Sequence, residues 1–139
     1  TAPDPNLVTF DCPDASMSIQ ARDRSNTPLQ ALASLQNEVF HEAAQALARR
    51  VLETDLPSDE ARIDRVFAWT VGRAPDGDER QVIGYLLADA REEYATAEAE
   101  TAALVVGDHA ATGVSAAESA AWVATARILL NLDEFLTRE

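Results

Sequence analysis

One histidine and the four residues after it come closest, in this chain, to the spacing of a metal-dependent active site. The run His41-Glu42-Ala43-Ala44-Gln45 approaches the zinc motif H-E-x-x-H, in which two histidines four residues apart share one helix face. Gln45 stands where the second ligand must be, and a glutamine amide is a poor zinc ligand. Because the chain has only one other histidine, His109, the sequence excludes a metalloprotease site. We predict that His41 lies on a helix surface and His109 in a loop.

The paired carboxylates fit helix caps better than they fit catalysis. A glycosidase needs two carboxylates at a defined separation across a cleft, and a calcium loop needs the pattern D-x-[DN]-x-[DN]-G. The run Asp76-Gly77-Asp78-Glu79 has the carboxylates without the calcium register. An Asp followed three residues later by a Glu is a capping box, and this structural role accounts for the run.

The single cysteine, Cys12, forms no internal disulfide, and its acidic neighbours disfavour a reactive thiolate. The chain contains no C-x-x-C-H motif for c-type haem and no glycine-rich phosphate loop. The sequence therefore predicts no catalytic residue, no metal and no cofactor within this chain.

Polar residues in apolar company predict a clamp that ties the N-terminal lead-in and the turn between the second and third helices to the last helix. Asn131 follows two leucines and Glu134 precedes Phe135, so at helical spacing at least one of them faces inward and needs partners. The full set, which combines arginine donors with carboxylate and amide acceptors, is Asp11, Asp14, Arg22, Arg24, Arg73, Asn131 and Glu134. We interpret it as a structural clamp, with an anion site built on the arginines as the alternative.

Length and apolar spacing predict a single all-α domain over residues 1–139, with four main helices in a compact, bundle-like arrangement. Residues 1–26, which include three prolines, are predicted to form an extended lead-in packed on the helices. Asn37 is the position at which the first helix could bend. The four helices run from about Pro28 to Leu52, from Ser58 to near Gly72, from Asp76 to Leu104, and from Ser115 to the end of the chain. Capping boxes are expected at Thr27 with Gln30, Asp76 with Glu79, and Ser115 with Glu118.

Two expectations about packing follow from this pattern. The first helix should bury the stripe of Leu32, Leu35, Val39, Ala43, Leu47 and Val51. The stretch 95–121, rich in Ala, Thr and Glu, offers few large apolar groups, so the end of the third helix should project from the core as a solvated helix or a partner-binding arm.

Four motifs spread along the chain resemble a known family. They are F-D-x-P-D at residues 10–14, R-x-R-S-N-T-P-L-Q-A-L at 22–32, G-R-x-P-x-x-x-E at 72–79 and L-L-N-x-x-E-F at 129–135. Over nearly its whole length the chain resembles the C-terminal domain of large exported planctomycete-type proteins, the family catalogued as domain of unknown function 1553. The resemblance implies an exported, periplasmic or cell-envelope setting and a parent polypeptide with c-type haem and family 1549 domains upstream.

Charge and composition limit the partners. With a net charge of −13 the chain does not neutralise the phosphates of a nucleic acid, so no nucleic-acid partner is expected. The longest apolar run is too short to span a membrane. Our first hypothesis is a non-catalytic helical scaffold or interaction module at the C-terminus of a larger protein, with that protein's upstream domains as partners. The second is a composite site in which Arg22, Arg24 and Arg73 bind an anionic substrate such as an acidic sugar. The third is a module that binds an envelope protein through its acidic third helix.

Overall fold

The structure, a computed structural model, describes residues 27–136, apart from the side chain of Ala31. All the regular secondary structure in this part of the chain is helix, which confirms the all-α class. Its helices are α1 (Pro28–Gln36), α2 (Glu38–Glu53), α3 (Asp59–Val71), α4 (Gly77–Thr96), α5 (Ala99–Val106), α6 (Ala116–Leu129) and α7 (Asp133–Leu136). None of these helices combines the length and the apolar content that a membrane span requires.

The predicted count of four helices is wrong for the described range, because three of the predicted helices are divided. Asn37 ends α1 and also caps α2, with extended backbone angles and a side chain that accepts from the Val39 amide at 2.9 Å. An asparagine side chain competes with the helix for backbone donors, which explains a break at this position. Ala97 and Glu98 likewise adopt extended angles and separate α4 from α5.

Most of the predicted helix ends are confirmed in detail. Reciprocal capping boxes form at Thr27 with Gln30 and at Asp76 with Glu79. Gly72 ends α3 with a φ of 88°, a left-handed angle that favours glycine. The predicted third box is only half present: Ser115 accepts from the backbone of Glu118, but the Glu118 carboxylate turns to a different partner.

The central element of the fold is α6, which packs against α2, α4 and α5. It is apolar or small-sided on nearly all faces, as a helix surrounded by others must be. Trp122 is completely buried there, and Ala120 and Ala121 let the neighbouring helices approach closely. Around α6 the core gathers Ile63, Val66 and Phe67 from α3 and Ile83, Leu87 and Ala90 from α4.

Most of the predicted apolar face of the first helix does not face the described core, and only its last two residues, Leu47 and Val51, pack there. Within α2 the buried residues are Ala44, Gln45, Ala48 and Val51, of which only Val51 belongs to the predicted stripe. The break at Asn37 resets the helical phase, so the leucines of α1 no longer continue the buried face of α2. Leu32, Leu35 and Val39 are exposed among residues 27–136.

The stretch after Ala97 was expected to project from the core, and this expectation is wrong. The extended residues 97 and 98 turn α5 back so that it packs along α6. Ala102 and Val106 are buried there against Ala120. Small side chains therefore serve close helix packing in this region rather than a solvated projection.

Candidate functional site

Arg73 lies at the centre of the most highly connected polar site, in the turn between α3 and α4. Its guanidinium forms a two-pronged pair with Glu134 of α7, at 2.9 and 2.7 Å, and a second with Glu79 of α4, at 2.8 and 2.7 Å. Its remaining N–H donates to the Ala74 carbonyl oxygen at 3.2 Å. A guanidinium has five N–H donors, so acceptors of the chain itself occupy all of them.

Local structure fixes each partner of Arg73. Glu79 is the third helical residue of α4, and its carboxylate also accepts from the Asp76 amide at 2.8 Å as part of the capping box. The Phe67 ring lies 5.1 Å from the guanidinium carbon, within the range of a cation–π contact. Hydrogen bonds from Arg73 and from the Asp76 amide lower the pKa of Glu79 to about 2. The carboxylates of Glu79 and Glu134 raise the pKa of Arg73. Arg73 and Glu79 are therefore both charged across the physiological pH range.

The structure places the other predicted site residues less uniformly. Half of the Glu134 side chain is exposed, because α7 is a single short turn. Asn131 does face inward: its Oδ1 is buried and accepts no hydrogen bond from the described residues. The remaining members of the predicted clamp, Asp11, Asp14, Arg22 and Arg24, lie outside the described residues.

A second arginine junction, which sequence reasoning missed, joins three helices. Arg91 of α4 forms a two-pronged pair with Glu118 at the start of α6, with one bond of 2.8 Å, and donates to Asp59 at the start of α3 at 2.6 Å. The buried Trp122 indole donates to Glu118 at 3.0 Å. Arg91 lowers the pKa of Asp59, mainly through this hydrogen bond. The sequence did carry one signal of this junction, because Trp122 follows Glu118 by one helical turn. A buried indole N–H needs an acceptor, and the acid one turn earlier can provide it.

The residues of the incomplete zinc motif form a structural contact. Gln45 donates to the Val105 carbonyl oxygen at 2.8 Å and to His41 Nε2 at 3.0 Å, which assigns the proton of the neutral imidazole to Nδ1. Burial, and then the charge of Arg127, lower the pKa of His41. Both His41 and His109 line an open cleft of about 420 Å³ between α2 and the end of α5. In the range 27–136, no three side chains of the metal-binding types converge as a metal site requires.

The chemistry available to this part of the chain is therefore chiefly structural. Both junctions place an arginine between two carboxylates on different helices. One carboxylate of each junction has a second structural partner: Glu79 accepts from the Asp76 amide in the cap of α4, and Glu118 accepts from the Trp122 indole. Such an arrangement fixes helix ends relative to one another. In the Arg73 junction it leaves no guanidinium donor for an incoming anion.

Comparison with known proteins identifies a family but no characterised relative. Neither the curated proteins nor the solved structures gave a significant match to this sequence. The family model PSD1, described as a protein of unknown function (DUF1553), matches residues 1–87. The matched region includes three of the four motifs and extends into α4, whereas L-L-N-x-x-E-F lies beyond it. Because the match covers more than half of the sequence, the chain belongs to the PSD1 family of proteins of unknown function (DUF1553).

Proposed function

We propose that this chain is a non-catalytic helical scaffold module at the C-terminus of a larger exported protein, where it packs against the upstream domains of the same polypeptide. The observation that carries the proposal is the saturation of Arg73. All five of its N–H donors are bound by Glu79, Glu134 and a backbone carbonyl oxygen. Arg73, one of the three arginines that the sequence offered for substrate binding, thus holds α7 to the start of α4.

The second junction supports the same role. Arg91 connects the first turns of α3 and α6 to the C-terminal half of α4. Trp122 donates to the Glu118 carboxylate from within the core. Bidentate arginine pairs add geometric specificity to helix packing. A module with both junctions presents a fixed surface, which is what a scaffold needs. The exported setting rests on the resemblance of the four motifs to those of exported proteins.

Comparison with the intact parent polypeptide tests the scaffold role. We expect the helices of this chain to unfold at a higher temperature within the parent than in isolation, because a packed interface stabilises the folded state. Hydrogen exchange of α6 amides reports on these helices selectively in both samples. Equal unfolding midpoints and equal protection would show that the upstream domains do not pack on the module.

The rival function, an anion site, has its own test. We expect no heat of binding when the chain is titrated with polygalacturonate or dextran sulfate, with neutral dextran as the control. Saturable binding of polygalacturonate that disappears in Arg73→Gln would contradict the scaffold proposal and favour a composite site for acidic sugars.

A further inference from the structure

An exposed apolar surface lies at the N-terminal edge of the described fold. Leu29, Leu32 and Leu35 of α1 are 63%, 49% and 37% exposed, and Val39 at the start of α2 is 70% exposed. We call these four residues the α1 apolar surface. The eight exposed large apolar residues found in the range 27–136 thus include four within eleven consecutive positions. Such concentration, unlike scattered apolar residues, marks a surface that another segment covers.

Beside this surface lie two polar groups that lack suitable partners. A small cavity lined by Ser34, Leu35, Phe40, Arg127, Leu130 and Asn131 opens next to Leu35. Asn131 Oδ1 is buried without a donor from the described residues. Arg127 donates to the Leu35 carbonyl oxygen at 2.6 Å and, within residues 27–136, pairs with no carboxylate. An occupant of this region should supply apolar side chains, a hydrogen-bond donor and an acid.

We propose that residues 1–26 of this chain dock on the α1 apolar surface and extend to the cavity beside Arg127. This segment joins the described fold at Thr27, the N-cap of α1, so it begins at the edge of the surface. Fully extended, 26 residues reach about 85–95 Å, whereas the nine-residue α1 is about 14 Å long. Length therefore does not limit the segment, which can fold back along the whole of α1.

The composition of residues 1–26 matches each requirement of the surface. It supplies apolar side chains at Leu7, Val8, Phe10, Met17 and Ile19. Its aspartates can pair with Arg127, and its backbone N–H groups can donate to Asn131 Oδ1. The family model also spans this segment together with α1, so the two belong to one family unit.

Charge and tethering favour this segment over a second copy of the chain. Each copy carries a net charge of −13, and this charge opposes close association of two copies. A tethered segment instead acts at an effective concentration on the order of millimolar without any partner. The inference concerns contacts within the chain, so it does not depend on the proposed scaffold role.

The single cysteine provides the test. A nitroxide label on Cys12 of the full chain should broaden the methyl NMR signals of Leu29, Leu32 and Leu35. The methyl signals of Leu104, which is 79% exposed on α5, are the internal control and should broaden much less. A second label position, Ser18→Cys in a Cys12→Ser chain, guards against disturbance by the first label. If neither label broadens the α1 signals, the docking proposal is wrong.

Two further measurements separate the possible occupants. Mixing a spin-labelled, isotopically unlabelled chain with an unlabelled, isotopically enriched chain reports only contacts between copies; broadening of α1 in that mixture would replace the proposal with self-association. Leu32→Glu should abolish the broadening within the chain, whereas Leu104→Glu should leave it unchanged. Circular dichroism should remain the same for both variants, since both side chains are exposed. Broadening that persists in Leu32→Glu would place the segment elsewhere.

Discussion

Arg73 and Glu134 lie 61 residues apart in the chain and are joined by two parallel hydrogen bonds of 2.9 and 2.7 Å. The pair connects the turn before α4 to α7, the last described helix. Neither side chain is deeply buried, since 44% of Arg73 and 50% of Glu134 are exposed. The stabilisation from this ion pair therefore depends on its geometry rather than on desolvation. Glu79 on the other side of the guanidinium makes this geometry rigid.

The capping box at the start of α1 should contribute measurably to stability. Thr27 accepts from the Gln30 amide at 3.2 Å, and the Gln30 side chain accepts from the Thr27 amide at 3.0 Å. We expect Thr27→Ala to cost roughly 1 kcal/mol of unfolding free energy in urea denaturation. Pro28→Ala, the matched control at the next position, should cost less. Equal and negligible effects would show that this cap does not stabilise the fold.

Two glycines should respond in opposite directions to the same substitution. Gly72 has a φ of 88°, so Gly72→Ala should destabilise the fold by roughly 1–2 kcal/mol. This cost comes from the backbone angle alone, because no neighbouring atom would contact the added methyl group. Gly84 lies inside α4 without this angle and also has open space, so Gly84→Ala should stabilise by roughly 0.5–1 kcal/mol. Chemical denaturation of both variants measures the difference. A stabilising Gly72→Ala would contradict the left-handed end of α3.

The Arg91 junction should distinguish arginine from lysine. A lysine keeps the charge but cannot form the two-pronged pair with Glu118 while also donating to Asp59. We expect Arg91→Lys to cost roughly 1–2 kcal/mol in urea denaturation. Arg65→Lys is the matched control, because Arg65 is exposed and forms no ion pair within the described part of the chain. A similar effect for both variants would mean that the geometry of the junction does not matter.

Acid should weaken the fold through Glu79. Its pKa is about 2 in the folded chain and about 4.3 in an unfolded one. Because the folded-state value is the lower, this stabilisation is fully present above about pH 4.5 and is lost as the pH falls towards about 2. Melting temperatures measured from pH 7 down to pH 2 should therefore fall less steeply in Glu79→Gln than in the unsubstituted chain. Glu92→Gln, at an exposed position without an ion pair in the range 27–136, should keep the steep fall.

Local signals in the sequence predicted helix ends well. The boxes at Thr27 and Asp76, the Ser58 cap and the Gly72 stop depend on residues within a few positions of one another. Each is decided by short-range hydrogen bonds or by one backbone angle, so the pattern alone suffices. In α3 the apolar residues Ile63, Val66 and Phe67 also recur at helical spacing without interruption, and all three are buried.

Long-range geometry was harder to predict. The exposed leucines of α1 looked like a core face because the phase change at Asn37 leaves no periodic trace in the sequence. Glu118 fits the capping-box pattern, but its carboxylate accepts from Arg91 instead of from the Ser115 amide. A charged guanidinium is a stronger hydrogen-bond donor than a backbone amide. The Arg73–Glu134 contact could be proposed from residue types, whereas Glu79 as the shared acceptor required the folded turn.

The most direct test of the central claim, that Arg73 fastens α7 to the start of α4, is a double-mutant cycle between Arg73 and Glu134. Unfolding free energies would be measured for Arg73→Gln, Glu134→Gln and the double variant, with Arg73→Gln and Glu92→Gln as a control cycle. The account predicts that the double variant loses less than the two single variants together, while the control cycle is additive. Additive losses in the Arg73–Glu134 cycle would contradict the claim and remove the main support for a scaffold role.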